Sequence, residues 1–217
     1  MRTLRTLVAA FVALALADVG APELAVALQK KYDGVKDFSA DFTHTYEGGV
    51  LHKRITERGR LLIKKPGKMR WEYSSPEEKL FVSDGAKMYS YIPQDKQVIV
   101  ATISAEDEAT TPTLFLAGKG NLTRDFTPSL IDLPPEMPSG ARALKLIPKS
   151  RQQDYDWLVL AVDPSSLDIR GLVATDAQGG KSSFSFTNLK QNLGLADKEF
   201  AFKIPRGVDV VSAPSRP

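Results

Sequence analysis

The stretch GRLLIKKPGKMRWEY, residues 59–73, contains two apolar runs separated by Pro66-Gly67. After this pair, Met69, Trp71 and Tyr73 alternate with charged residues, which is the period-two pattern of a strand with one apolar face. A Pro-Gly pair between two such runs is typical of a turn. The stretch therefore predicts two neighbouring strands joined by a tight connection.

The same alternation recurs along most of the chain. Phe38, Ala40 and Phe42 alternate with polar residues, as expected for a strand packed on one side only. Further strand candidates lie at residues 51–64, 80–83, 87–92, 97–103, 142–147, 157–162, 167–175, 182–189 and 199–204. About eleven short strands, mostly joined by hairpins, predict one domain built on a single antiparallel sheet that curls instead of lying flat.

Two segments have the pattern of a helix. Apolar residues spaced by three or four positions predict a helix from Pro22 to about Val35. A helix-start signal at Thr110 and a possible stop at Gly118 enclose apolar residues, which predicts a short helix inserted between strands. The fold class is therefore mainly β with helices (α+β). Residues 133–138 are Pro-rich and predict an extended loop, and residues 211–217 predict a loose tail.

The first 17 residues have the layout of a secretory signal peptide. Arg2 and Arg5 precede an apolar run from Leu7 to Ala17, which ends in small residues. This run is well short of the roughly 20 residues of a membrane-spanning helix. We expect cleavage after Ala17, export of the protein, and a mature domain of residues 18–217.

Composition excludes several classes of function. The 217 residues carry 29 Lys and Arg against 26 Asp and Glu, a net charge of +3 that is too small to drive binding to nucleic acid. The chain has no cysteine and two histidines, so disulfides, thiolate catalysis, zinc ribbons and iron–sulfur clusters are not expected.

No catalytic motif is complete. His44 and His52 flank a Gly-Gly turn with Glu47 nearby, but three such groups lack the ligand set of a closed metal site. Gly180-Lys181-Ser182 lacks the upstream glycine of a phosphate-binding loop, and no Gly-x-Ser-x-Gly elbow is present. We therefore predict no enzyme, no metal and no cofactor.

What remains is apolar surface. A curled sheet has a hollow face, which its own side chains, a helix or a ligand must fill. Large, adaptable side chains in the predicted strands and the inserted helix are candidates to line it: Met69, Trp71, Phe81, Met88, Tyr91, Leu114, Phe115 and Leu116. The alternative is that these residues are simply the hydrophobic core.

Five segments, in their order and spacing, resemble the LolA family of periplasmic lipoprotein carriers: Leu28–His44, Gly59–Tyr73, Val82–Pro93, Thr110–Gly120 and Asp197–Val211. The resemblance implies an incomplete eleven-stranded antiparallel barrel covered by helices. It also implies an apolar cavity that carries acyl chains of lipoproteins from the inner to the outer membrane.

The resemblance implies partners as well. A monomeric carrier would be loaded by an inner-membrane ABC-type lipoprotein-releasing complex (LolCDE-like) and unloaded to a LolB-like outer-membrane acceptor. Lys65 stands where the family often has an arginine that holds the helical lid shut. Lysine lacks the planar fork of arginine, so a lid gated by Lys65 would close less firmly. The alternative is that Lys65 is only a cation at the end of a strand.

Two other functions fit the same residues. A carrier of this kind could take other envelope lipids or glycolipids as cargo. A related fold also serves as a periplasmic sensor or binding module, although the sensor of that class is longer than this chain.

Overall fold

The structure is a computed structural model, and it describes residues 19–48, 53–103, 118, 120–152, 155–176 and 178–213. The predicted signal peptide and the predicted helix at residues 110–117 lie outside these residues. The helices are α1 (Ala21–Asp33) and α2 (Leu122–Asp125), with 3-10 turns η1 (Pro93–Asp95) and η2 (Asp197–Phe200). The strands are β1 (Asp37–Glu47), β2 (Arg54–Lys64), β3 (Lys68–Ser75), β4 (Lys79–Asp84), β5 (Lys87–Ile92), β6 (Gln97–Thr102), β7 (Phe126–Ile131), β8 (Arg142–Pro148), β9 (Trp157–Val162), β10 (Ile169–Thr175), β11 (Lys181–Gln191) and β12 (Asp209–Ser212).

One sheet of 12 strands contains every described strand, in the order β12-β6-β5-β4-β3-β2-β1-β11-β10-β9-β8-β7. Its neighbours pair antiparallel, except that β12 lies parallel to β6. Because β12 and β7 are the two edges, the sheet does not close into a barrel. The predicted fold class, mainly β with an incomplete barrel and few helices, is confirmed.

The two faces of the sheet are covered differently. We call the inner face the one that carries the main hydrophobic core, where Leu24, Leu28 and Tyr32 of α1 pack against strand residues. On the opposite, outer face, the Pro-rich loop brings Met137 onto Val159 and its neighbours to form a second, smaller core. The loop predicted at residues 133–138 is therefore confirmed and has a packing role.

Helix α1 begins within one residue of the predicted Pro22 and ends at Asp33, two residues before the predicted end at about Val35. Pro22 lies in the first turn and Gly34 follows the last residue, with Lys30 and Lys31 in the last turn, where cations favour the helix dipole. The Ile169 N–H donates to Tyr32 Oη at 3.1 Å, and Lys31 is paired with Asp168. These contacts fix the C-terminal end of α1 over β10.

The set of strands differs from the predicted set at three places. Residues 199–204 are not a strand, and their backbone does not pair with the sheet. Instead, Phe200 is buried and the ring of Phe202 packs against that of Tyr89. Residues 126–131 form β7, an edge strand that contains Pro128. Residues 209–212 form β12, so the first two residues of the predicted tail, 211 and 212, belong to a strand. Helix α2 was also not predicted.

No helix within the described residues is long and apolar enough to cross a bilayer.

Candidate functional site

Strand register brings four of the predicted site residues to one face. Trp71 pairs with Phe81, and Met69 pairs with Ser83, which in turn pairs with Met88. Directly paired residues of antiparallel strands present their side chains on the same face. Met69 and Trp71 belong to the main core, and Phe81 and Met88 pack against it. The inner face therefore carries Met69, Trp71, Phe81 and Met88.

The structure does not bring Tyr91 to this face. Tyr91 pairs with Leu80, the neighbour of Phe81, and so lies on the outer face. Its ring packs 5.9 Å from that of Phe202 in the segment after η2. The expectation that Tyr91 lines the same surface as Trp71 is therefore wrong. Strand β5 carries apolar side chains on both faces, so its sequence pattern does not show which face Tyr91 occupies. Leu114, Phe115 and Leu116 lie outside the described residues.

Trp71 lies within a cluster of aromatic rings that the sequence analysis did not predict. Its ring lies edge-on to Phe42 at 5.0 Å and to Phe184 at 5.3 Å between centroids, and Phe42 is 4.8 Å from Tyr73. A Cβ atom at Gly59 would meet the Phe42 ring at 2.7 Å, so glycine makes room for it. The alternation within β1 and β11 indicates these rings, but the pairing of β1 with β11 does not follow from the local pattern.

The indole nitrogen of Trp71 has no hydrogen-bond partner among the described residues. The residue is 3% exposed, so water does not solvate this N–H freely. Indole is a donor without an acceptor, and buried donors are almost always paired. Trp71 thus has an unused donor within the apolar core of the inner face.

A charged cluster lies at one end of the inner face. His44 Nδ1 is 3.1 Å from Glu57 Oε2, and Lys79 Nζ donates to Glu57 Oε1 at 2.6 Å. His44 also stacks on Phe184, with centroids 4.2 Å apart. Burial lowers the pKa of the His44 imidazole below its ordinary value, although Glu57 acts to raise it.

This cluster does not have the composition of a metal centre. No group of three or more His, Cys, Asp or Glu side chains in the described part of the chain is placed to hold a metal ion. His52, the second histidine, lies outside the described residues. His44 Nε2 is 3.4 Å from Ser182 Oγ.

Apolar side chains of the inner face remain partly uncovered by the described residues. Tyr46 pairs with Ile55, Ile99 pairs with Ser90, and Leu130 pairs with the buried Leu144, which places all of them on the inner face. The exposed apolar residues of this set are Tyr46 (38%), Ile55 (40%), Ile99 (41%) and Leu130 (40%). The apolar surface is thus wider than α1 covers.

Lys65 reaches from the β2–β3 connection to helix α1. Its Nζ donates to the Tyr32 carbonyl oxygen and lies 5.7 Å from the centre of the Tyr32 ring. A Cβ atom at Gly118 would lie 2.7 Å from Lys65 Cδ, so its alkyl stem also touches the end of the inserted segment. Burial lowers the pKa of the Lys65 ammonium. Lys65 thus contacts α1, and its role as a gate stays a prediction.

Comparison with known proteins supplies a family for this arrangement. Residues 33–203 match the model of the family described as "Outer membrane lipoprotein carrier protein LolA". The chain belongs to the LolA family. The match includes every strand from β1 to β11 and the inner-face residues described above.

Individual relatives agree over most of their length. The outer-membrane lipoprotein carrier protein of Chromobacterium violaceum is 31% identical, covering 95% of this chain and 96% of its own. That of Cupriavidus taiwanensis is 30% identical, covering 95% and 98%. An uncharacterized conserved protein from Thermus thermophilus shares the fold, with a TM-score of 0.53, 14% identity, and coverage of 87% of this chain and 97% of its own.

Proposed function

We propose that the mature protein, residues 18–217, is a periplasmic carrier that binds acyl chains of lipoproteins on the inner face of its sheet. Residues 1–17 direct its export. One observation supports this beyond family membership: apolar side chains of the inner face, Ile55 and Ile99 among them, are about two-fifths exposed. An unclosed sheet with uncovered apolar side chains offers acyl chains a surface that water does not.

A carrier of acyl chains must shelter them from water and must also be able to release them. Each methylene exposed to water costs about 0.8 kcal/mol, so long acyl chains need a sheltered path between two membranes. Full burial of several chains would sum to more than the roughly 20 kcal/mol at which noncovalent affinity saturates. Packing of α1 on the empty inner face lowers the net gain, because lipid must displace contacts that the closed protein already makes.

Specificity for individual proteins then comes from the partners. Apolar packing is non-directional, so one inner face accepts many lipoproteins that share only their lipid. We propose that an inner-membrane ABC-type releasing complex loads the carrier and that a LolB-like acceptor receives the cargo. The carrier acts as a monomer and uses no cofactor of its own.

Two isoleucines of similar exposure on opposite faces provide a matched test. Ile99 lies on the inner face and is 41% exposed, whereas Ile147 lies on the outer face and is 47% exposed. Ile99→Glu should reduce release of a triacylated lipoprotein from inner-membrane vesicles by about fivefold or more, because a carboxylate is costly beside alkyl chains. Ile147→Glu should release it at the wild-type rate. The measurement is the lipoprotein recovered with the carrier after the vesicles are sedimented.

Equal release by both variants would contradict the assignment of the inner face. A wild-type protein that releases no lipoprotein but binds glycolipid from the same membranes would favour the alternative cargo.

A further inference from the structure

The unpaired indole N–H of Trp71 is unusual for its position. In the described part of the chain, the other buried polar side-chain atoms without a hydrogen bond belong to Glu136 and Thr175. Glu136 Oε1 lies 2.6 Å from Lys181 Nζ, and Thr175 pairs with Trp157 on the outer face. Trp71 is therefore the inner-face residue with an unused donor in this part of the molecule.

The neighbours of Trp71 explain why the donor remains unused. Phe42, Phe184 and Phe186 surround the ring, at centroid distances of 5.0, 5.3 and 6.5 Å, and Leu61 is its partner on β2. None of these side chains has an acceptor. Because leaving a buried donor unpaired is unfavourable, a ligand that brings an acceptor to this point gains a hydrogen bond that the empty protein lacks.

Trp71 also marks a boundary on the inner face. In one direction along β3, Met69 pairs with Ile63 in an apolar region that continues to Lys65 and α1. In the other direction, Tyr73 leads to His44, with ring centroids 6.2 Å apart, and then to Glu57 and Lys79. The surface is thus apolar on one side of Trp71 and charged on the other.

We propose that Trp71 Nε1 donates a hydrogen bond to an ester or amide carbonyl of the bound acyl lipid. The acyl chains then extend over Met69, and the polar end of the lipid lies toward His44. An alkyl chain alone offers no acceptor, so the group recognised is the acyl linkage and not the hydrocarbon. This inference rests on the proposed carrier function and adds the orientation of the cargo.

The test uses two neutral lipids that differ in this linkage. Dipalmitoylglycerol has two ester carbonyls, and dihexadecylglycerol, its ether-linked counterpart, has none. The mature protein carries Trp157→Phe, so that Trp71 is the only tryptophan, and its indole is labelled with nitrogen-15. Saturation with the ester lipid should move the Trp71 Hε1 resonance downfield, as a new hydrogen bond requires, and saturation with the ether lipid should not.

Affinity provides an independent measurement. Trp71→Phe should weaken binding of the ester lipid by about threefold to tenfold, measured by displacement of an apolar dye, and leave the ether lipid unchanged. Since phenylalanine is smaller, 3-benzothienylalanine at position 71 keeps the ring size and removes only the N–H. It should give the same loss for the ester lipid.

Three results would overturn the inference. They are an unmoved Hε1 resonance at saturation with the ester lipid, an equal loss of affinity for both lipids in the two variants, and failure of the wild-type protein to bind either lipid. Release of lipoprotein in the vesicle assay decides the carrier function separately, because that assay requires shelter for the chains and not a bond to Trp71.

Discussion

Lys64 and Lys65 are adjacent in the sequence and hold different parts of the molecule. Lys64 Nζ donates to the Leu195 carbonyl, before η2, and to Oδ1 of Asp197, the first residue of η2, both at 2.7 Å. Lys65 Nζ donates to the Tyr32 carbonyl in the last turn of α1. Lys64 is the last residue of β2 and Lys65 lies in the turn that follows. Lys64 therefore holds the segment at η2, and Lys65, the candidate gate, contacts α1.

Lys65→Met tests the gate, with Lys64→Met as its control. Methionine keeps most of the alkyl stem of Lys65 but removes the donor to α1. Hydrogen exchange at the amides of residues 30–36 should become about threefold to tenfold faster, since one hydrogen bond no longer opposes opening of this turn. Lys64→Met should leave these amides unchanged. Equal exchange in both variants would make Lys65 only a cation at the end of a strand.

At the same scale, the sequence predicts side-chain direction only where one face is clearly polar. On β3, charged residues alternate with Met69 and Trp71, so their common face follows from the pattern. On β5, Met88 and Tyr91 are both apolar but lie on opposite faces. Tyr91 packs against Phe202 on the outer face. These two segments are distant in sequence, so the local alternation of β5 does not predict their contact.

Among the elements, β1 is tied to the segment after β11 by one buried carboxylate. Asp37 is 4% exposed. Its oxygens accept hydrogen bonds from the backbone N–H groups of Leu193, Gly194 and Leu195, at 2.6, 3.0 and 3.2 Å. These three hydrogen bonds fix the position of the segment between β11 and η2.

Asp37→Ala should lower the free energy of unfolding by about 2–4 kcal/mol, because it removes three hydrogen bonds to a buried carboxylate. Asp41→Ala, on the same strand, is the control: Asp41 accepts one exposed hydrogen bond from Asn188. Its loss should cost less than about 0.5 kcal/mol. Urea unfolding of both variants measures the difference. Similar values for the two would mean that the Asp37 contacts do not stabilise the native state.

Elements with regular patterns were predictable, and short or irregular ones were not. The spacing of Leu24, Leu28 and Tyr32 defines α1, and alternating runs define β1 and β3. Strand β7 contains Pro128, which an edge strand tolerates, and β12 has four exposed residues without alternation. The apolar residues of the segment 199–204 do alternate, but its backbone does not pair with the sheet and its aromatic side chains pack against it.

In the whole molecule, the two faces of the one sheet are covered by different parts of the chain. The Pro-rich loop and the segment around Phe200 pack on the outer face. On the inner face, α1 packs over one region, while Ile55 and Ile99 remain partly exposed. The proposed carrier relies on the inner face, where lipid can replace the apolar contacts that α1 makes with the sheet.

The most direct measurement is mass spectrometry of the lipid that copurifies with the mature protein. The protein is isolated from periplasm without detergent and extracted with organic solvent, and Ile99→Glu is treated in the same way. We expect acylated lipoproteins in the wild-type extract and a clear depletion of them in the variant. A wild-type extract with no more acylated material than the variant would contradict a lipid-binding inner face.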